Sequence, residues 1–285
     1  SVFFFIRHIF FGLITRAMQK IKTSTINSKR RRQMKKSLKI TSITIVLSIF
    51  MTLFVYSADA YNWYCKRAKN HMRPTAEPSM NFITENGGAF IGKDPEEKVI
   101  YLTFDAGYEN GNIAKILDVL KAHNATGAFF VLENIIKHDT ELVRRMANEG
   151  HLICNHTAKH KDMTKMNDEQ FAAELKKLED VLMEYVGVEC AKFYRPPEGR
   201  FNEKNLKAAN ALGYKTVFWS LAYADWDNDK QPEKEKAKQL LLSNTHNGAV
   251  ILLHPTSKTN ADILDSLLTE WEKEGYRFGT LSELF

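Results

Sequence analysis

Five short motifs in this sequence carry side chains that can move protons or hold a metal ion. Each motif follows an apolar, strand-like run, and the side chains are carboxylates, imidazoles and one guanidinium. Because the carboxyl ends of parallel barrel strands meet on one face, five such strand ends predict one shared active site. The motifs are residues 103–107 (TFDAG), 156–160 (HTAKH), 195–197 (RPP), 225–226 (DW) and 253–254 (LH).

His156 and His160 lie four residues apart, a spacing that can direct two imidazoles at one ion. Nitrogen ligands suit Zn²⁺ and similar divalent metals. A chance pair of surface histidines is an equally good interpretation of the spacing alone. The position of the pair, directly after an apolar strand-like run, favours the metal site.

Asp105 and Arg195 are candidates for a general base and the group that positions it. A carboxylate at a strand end can take a proton from water, although turn and helix-capping aspartates also occupy such positions. Arg195 precedes two prolines that restrict the backbone, so its guanidinium is held in place and can pair with Asp105. A surface arginine is the weaker interpretation in so apolar a setting.

Asp225 and His254 are candidates for a second catalytic pair. His254 ends an apolar run and can act as a general acid that Asp225 orients. A buried core histidine with satisfied hydrogen bonds is the alternative. Trp226 offers a flat apolar wall for a sugar ring or an acetyl methyl, although core packing is the commoner role of tryptophan.

Strand-like and helix-like patterns alternate from Lys98 to the C-terminus, which predicts an α/β protein with a mostly parallel sheet. The sheet is either closed as a barrel or doubly wound. Residues 107–111 follow the first strand but lack the glycine spacing of a dinucleotide-binding loop, which favours the barrel. Predicted strands occupy residues 99–104, 125–132, 151–155, 193–194, 216–221, 249–253 and 276–278, and predicted helices residues 113–120, 140–148, 167–187, 203–212, 233–243 and 261–274.

The charge of the chain is concentrated at one end. Residues 1–60 carry eleven Lys or Arg and one acid, a net +10, so the rest of the chain carries −4 of the total of +6. A slightly acidic body gives no electrostatic reason to expect nucleic-acid binding. The three cysteines are too few and too scattered to predict a disulfide framework.

The N-terminal residues predict export. A basic stretch at 34–39, an apolar run at 40–57 and the small residues at 58–60 are typical of a signal peptide cleaved after Ala60. An uncleaved membrane anchor is the alternative, because the apolar run approaches a spanning length. We interpret residues 1–33 as a non-native leader before a start at Met34, and residues 34–60 as the signal peptide or anchor. Residues 61–97 are interpreted as a short linker and an irregular entry segment, and residues 98–285 as the domain.

The five motifs, in this order and at these separations, resemble the NodB-type polysaccharide deacetylases, the fourth carbohydrate esterase family, over residues 98–285. Residues 101–111 and 217–220 resemble the subgroup that forms muramic δ-lactam in spore formers. The resemblance implies a distorted (β/α) barrel. It also implies a set of catalytic residues: Asp105 as base, Arg195 as its partner, and His254 as acid tuned by Asp225.

The same resemblance implies His156 and His160 as metal ligands and a substrate wall that includes Trp226, Leu253 and Pro197. Most of the family has a second Asp after the catalytic one as a third metal ligand, and this chain has Ala106 there. A methyl group cannot coordinate a cation. We therefore expect a divalent metal, Zn²⁺ by preference, at a weakened site.

The expected function is that of an exported peptidoglycan deacetylase acting on muramic acid, with glycan strands as its partner and muramic δ-lactam of the spore cortex as the end product. Membrane contact is expected only through an uncleaved N-terminal segment. One alternative is a general deacetylase of N-acetylglucosamine polymers, which uses the same catalytic residues. Another is an inactive cell-wall binding module, which the retained acid and base disfavour.

Overall fold

The computed structural model describes residues 60–68 and 70–285. The predicted leader and the signal peptide or anchor lie outside these residues. Within the part that is described, no helix is both long and apolar enough to cross a membrane.

The described strands and helices alternate along most of the chain, as the sequence predicts. The strands are β1 (Tyr61–Asn62), β2 (Gly88–Ala89), β3 (Val99–Ala106), β4 (Gly127–Val131), β5 (Leu152–Asn155), β6 (Ala191–Tyr194), β7 (Arg200–Phe201), β8 (Lys215–Val217), β9 (Ala249–Leu253) and β10 (Arg277–Phe278). The helices are α1 (Phe82–Glu85), α2 (Ile113–Ala122), α3 (Glu133–His138), α4 (Thr140–Asn148), α5 (Asp168–Tyr185), α6 (Glu203–Ala211), α7 (Lys234–Asn244) and α8 (Lys258–Lys273).

The main sheet is parallel and curls into a barrel. Its strand order is β10-β3-β4-β5-β6-β8-β2, and β9 also pairs with β3. Single bridges, Leu221 with Ile251 and Ile91 with Ala249, join the region after β8 and β2 to β9. The prediction of a distorted (β/α) barrel is therefore confirmed, with a seam closed by isolated bridges rather than by a full ladder.

Strand β3 shows how the barrel places a reactive side chain. Val99 and Tyr101 belong to an inner cluster with residues of β4, β8 and β9, whereas Ile100, Leu102 and Phe104 pack toward the surrounding helices. Side chains alternate between the two faces of a strand. The odd-numbered series therefore points inward, and this series ends in Asp105 at the carboxyl end of the strand.

Helix α5 begins and ends where the sequence predicts. Asn167 Oδ1 accepts a hydrogen bond from the Gln170 backbone at 2.8 Å, and Gln170 Oε1 accepts from the Asn167 backbone at 3.1 Å, which completes a capping box. Gly187 follows the helix with a φ of +81°, a conformation that glycine adopts without steric cost. The buried face of the helix holds Phe171 and Leu175, which anchors the loop after β5 against the barrel.

Residues 61–97, expected to be a short linker and an irregular entry segment, contain strands that pair with the rest of the domain. Strand β1 pairs antiparallel with β7, and β2 extends the main sheet along β8. Two-residue strands leave no alternation for the sequence to reveal, so this pairing was not predicted. Helix α3 was likewise not predicted.

Candidate active site

A cavity of about 700 Å³ opens at the carboxyl ends of the barrel strands. Its wall includes five of the predicted site residues: Asp105, His156, His160, Trp226 and His254. Asp105 lies at the end of β3, the two histidines of the pair follow β5, His254 follows β9 and Trp226 lies beyond β8, so the curl of the sheet brings them together. Arg195 and Asp225 are buried behind the wall.

Arg195 and Asp105 form an ion pair at the base of the cavity. Arg195 Nη1 donates to Asp105 Oδ1 at 2.8 Å, and the guanidinium is fully buried. Its plane lies over the Phe130 ring, 4.1 Å from the ring centroid. The aromatic face and the carboxylate together fix the guanidinium, which can therefore hold Asp105 in one orientation.

The remaining donors of Arg195 are bound to the barrel itself. Arg195 Nε donates to the Val217 carbonyl at 3.0 Å, and Nη2 donates to Thr103 Oγ1 at 2.9 Å and to the Phe218 carbonyl at 3.3 Å. Thr103 Oγ1 in turn donates to the Ile251 carbonyl at 2.7 Å. The guanidinium thus links β3 to the end of β8, and its position depends on both strands.

Asp105 is held in its charged form. Burial tends to raise the pKa of this carboxyl group, but the nearby Arg195, His156 and His254 outweigh burial and lower the pKa below its usual range. A carboxylate that stays ionised at neutral pH can accept a proton. The charge state agrees with the predicted role of Asp105 as a base.

His156 presents a free imidazole nitrogen to Asp105. Its Nδ1 lies 2.9 Å from the Arg195 carbonyl and must donate to it, since a carbonyl can only accept. Nε2 therefore carries the lone pair and lies 3.5 Å from Asp105 Oδ2. Burial lowers the pKa of His156 to about 4, so the ring is neutral at pH 7, as metal binding requires.

The turn that carries both histidines is fixed by side chains. Asn155 Oδ1 accepts from the Thr157 backbone at 2.9 Å, and Thr157 Oγ1 accepts from the His160 backbone at 2.9 Å. The ring centroids of His156 and His160 are 4.9 Å apart. The turn places the two imidazoles side by side at the cavity wall.

The donor set fits a divalent metal held by two imidazoles. The carbonyl that fixes the tautomer of His156 is the kind of outer partner that metal-binding histidines have. Among residues 60–68 and 70–285, however, no three His, Cys, Asp or Glu side chains form a metal-binding group. Ala106 is fully buried in the outer core. The residues therefore fit a weak site.

Asp225 holds His254 at two points. Asp225 Oδ1 accepts from His254 Nδ1 at 2.7 Å, and Oδ2 accepts from the His254 backbone at 2.8 Å. Asn260, on α8, donates to Asp225 Oδ2 at 2.6 Å and to the His254 carbonyl at 3.0 Å. Tyr223 donates to Asn260 Oδ1, which fixes the amide. This arrangement directs Nε2 of His254 to the cavity.

We predict that the pKa of His254 sets the alkaline side of the pH profile of hydrolysis. Burial tends to lower this pKa, but the hydrogen bond and charge of Asp225 raise it above the usual value. His254 is protonated below that raised pKa, so the rate of hydrolysis should fall as the pH rises through the pKa. Asp225→Asn removes the charge, and we expect the alkaline limb of kcat against pH to move to lower pH. An unmoved limb would contradict the assignment of His254 as the acid.

Of the three residues predicted to form a substrate wall, only Trp226 lines the cavity. Trp226 lines the cavity and is 60% exposed, so its ring can contact a substrate. Leu253 and Pro197 are buried and do not line the cavity. Leu252 and Glu198, their immediate neighbours, form the wall instead.

Sequence reasoning missed Asn260 and Trp219. Asn260 is a buried polar residue on the otherwise apolar face of α8, a signal that could have identified it. Trp219 lines the cavity, and its ring centroid lies 5.7 Å from the Arg195 guanidinium. It lies inside the predicted strand 216–221 and in the segment 217–220 that carries part of the family resemblance, but the sequence assigned it no role of its own. An ionised carboxylate, an imidazole hydrogen-bonded to a second carboxylate and an aromatic wall, all at one cavity, are groups that could serve the hydrolysis of an amide.

Comparison with known proteins places these residues in a family. The model of the polysaccharide deacetylase family matches residues 92–217. The peptidoglycan-N-acetylmuramic acid deacetylase PdaA of Bacillus subtilis is 42% identical over 226 residues, which cover 79% of this chain and 86% of that protein.

Two further matches extend the comparison. The structure of Bacillus subtilis PdaA, described as a family 4 carbohydrate esterase, has a TM-score of 0.77 at 40% identity and covers 79% of this chain and 97% of that chain. A peptidoglycan-N-acetylglucosamine deacetylase of Bacillus cereus is 35% identical over 209 residues, which cover 72% of this chain and 74% of that protein.

Proposed function

We propose that this chain, which belongs to the polysaccharide deacetylase family, removes the N-acetyl group from muramic acid in peptidoglycan. It is a hydrolase of amide bonds. The similarity to an N-acetylmuramic acid deacetylase over most of both chains is the observation that carries the choice of substrate. The two charged pairs at the cavity support the reaction.

In the proposed mechanism, Asp105 takes a proton from a water molecule that attacks the acetamide carbon. Arg195 holds the carboxylate by the 2.8 Å contact from Nη1 and keeps it ionised. His254, oriented by Asp225, then gives a proton to the leaving nitrogen. The C–N bond breaks, acetate leaves and a free amine remains on the sugar.

His156 and His160 would hold a divalent metal, Zn²⁺ by our proposal. Such an ion, when bound, polarises the acetamide carbonyl. The neutral Nε2 of His156 supports this role, and the hydrogen bond from its Nδ1 to the Arg195 carbonyl keeps the ring in place. With Ala106 in place of a third ligand, binding should be weak.

Ala106→Asp tests the metal proposal. A third, anionic ligand should tighten Zn²⁺ binding at least roughly 10-fold. Even changes to the outer partners of metal ligands alter metal affinity by that factor. Because residue 106 is buried, the added carboxylate should lower the melting temperature without metal, and Zn²⁺ should restore it. Calorimetry and thermal melts measure both effects. Equal affinity in variant and wild type would contradict the expectation that residue 106 can supply a third ligand to an ion held by His156 and His160.

The amine left on muramic acid has a further reaction available. It can attack the lactyl carboxyl group of the same sugar, so that a new C–N bond forms and water leaves, which gives the muramic δ-lactam. The carboxyl group is free only where the stem peptide has been removed. We therefore propose peptide-free muramic acid as the substrate and a role in the spore cortex, with export directed by the N-terminal segment.

A general N-acetylglucosamine deacetylase is the second candidate. The Bacillus cereus relative named for that substrate favours it, and the same base and acid would serve. The two candidates differ only in which sugar of the strand loses its acetyl group.

Product analysis separates the two candidates. Peptide-stripped peptidoglycan is digested with the purified protein, and the fragments are analysed by mass spectrometry. We expect muramic residues to lose acetyl and then water, while glucosamine residues stay acetylated. Deacetylated glucosamine beside intact muramic acid would refute the muramic proposal and support the general deacetylase.

A further inference from the structure

Residues 61–63, near the start of the described part of the chain, lie against the outer side of the cavity wall. Tyr61 and Asn62 pair with β7, and the Trp63 backbone N–H donates to the Gly199 carbonyl at 2.8 Å. Trp63 is buried, with its ring centroid 4.9 Å from that of Phe218. We call residues 61–63 the N-terminal strap.

The strap packs directly on two residues that line the cavity. Trp63 Nε1 donates to the Trp219 carbonyl at 2.9 Å. At Gly199, where φ is +64°, an added Cβ would lie 2.8 Å from the Trp219 ring and 3.3 Å from Trp63 Cβ. Gly199 and Trp219 both face the cavity, whereas Trp63 does not line it. Gly199 and Trp219 therefore separate Trp63 from the cavity, and Trp63 packs on the side of these residues that faces away from it.

The backbone from Val217 to Trp219 connects the strap to the ion pair of Arg195 and Asp105. The Phe218 carbonyl accepts from Arg195 Nη2 at 3.3 Å, and the next carbonyl, that of Trp219, accepts from Trp63. The backbone from Val217 to Trp219 thus holds Arg195 on one side and is held by Trp63 on the other. Val217 pairs with Ala89, and the Phe218 N–H donates to the Ala89 carbonyl at 2.8 Å, so Trp219 is the residue of this run that lies beyond the β8 ladder.

We propose that Trp63 is a positioning residue, which sets the place of Arg195, and through it Asp105, by fixing the Trp219 carbonyl. Trp63 touches neither the substrate nor the reacting atoms. The reaction that it supports is the deacetylation proposed above. Loss of the indole N–H frees the carbonyl and lets the run after β8 shift.

The test compares Trp63→Phe with Trp271→Phe in the full-length protein. Trp271 is a matched control, because it is fully buried and its Nε1 donates to Thr245 Oγ1 at 2.8 Å, outside the cavity wall. We expect Trp63→Phe to lower kcat about tenfold, since a misplacement of roughly 1 Å can cost about a hundredfold. Trp271→Phe should keep kcat at equal folded fraction. Equal kcat in the two variants would overturn the proposal.

A second measurement does not depend on the substrate. Exchange of the Arg195 Nε–H with solvent, followed by NMR, should be severalfold faster in Trp63→Phe and unchanged in Trp271→Phe. If the wild type hydrolyses only glucosamine polymers, kcat is compared on those. If it hydrolyses neither glycan, the proposed function fails, and the exchange rates still decide whether Trp63 positions Arg195.

A further variant separates the hydrogen bond from the packing. Should Trp63→Phe not fold, 3-benzothienylalanine at position 63 keeps the shape of the indole and replaces its N–H by sulfur. The same loss of kcat and faster exchange are expected. Wild-type values for both would refute the role of the hydrogen bond.

Discussion

Asp105→Asn is expected to lower kcat by about a hundredfold or more while the protein stays folded. Asparagine keeps the shape of the side chain but cannot take a proton from water. Its Oδ1 can still accept from Arg195, and the guanidinium keeps its bonds to Thr103 and to the carbonyls of Val217 and Phe218. The buried guanidinium of Arg195 therefore keeps its hydrogen-bond partners. Turnover on peptide-stripped peptidoglycan and a thermal melt measure the two parts of the expectation.

Asp118→Asn is the matched control for this variant. It also removes the carboxylate partner of an arginine, Arg145, at a contact of 2.6 Å, but on the surface and away from the cavity. The control should keep wild-type turnover. If Asp105→Asn also did so, Asp105 would not be the base, and its contact with Arg195 would serve the fold alone.

His254→Ala is expected to lower kcat by a comparable factor, because the leaving nitrogen then receives no proton from the enzyme. The loss should depend on the leaving group. An aryl acetate releases a stable anion that needs no protonation, so hydrolysis of such an ester should fall much less than hydrolysis of the glycan amide. The ratio of the two losses is the measurement that identifies an acid, whereas a purely structural histidine would lower both rates equally.

His123→Ala serves as the control for a histidine that pairs with carboxylates. His123 contacts Asp265 and Glu272, each at 3.1 Å, outside the cavity wall. Its loss should leave both rates unchanged. Wild-type turnover in His254→Ala itself would make His254 a core histidine, the alternative that its sequence position allows.

The sequence alone predicted the barrel and the motifs that meet in it. Apolar runs such as 249–253 and the capping signal at Asn167 reflect local preferences of the chain, so the structure has those elements where they were predicted. The residues at the strand ends could be named because parallel strands end on one face. This inference requires no knowledge of the exact strand order.

Only the tertiary structure decided which neighbours complete the site. Leu252 rather than Leu253 lines the cavity, because alternation along β9 and the curl of the sheet determine which side chain faces inward. Asn260 reaches Asp225 from a distant helix. Trp63 supports the wall from residues that the sequence indicated as a linker. These contacts join residues far apart in the chain, and such contacts leave no local pattern of propensity or spacing from which they could be predicted.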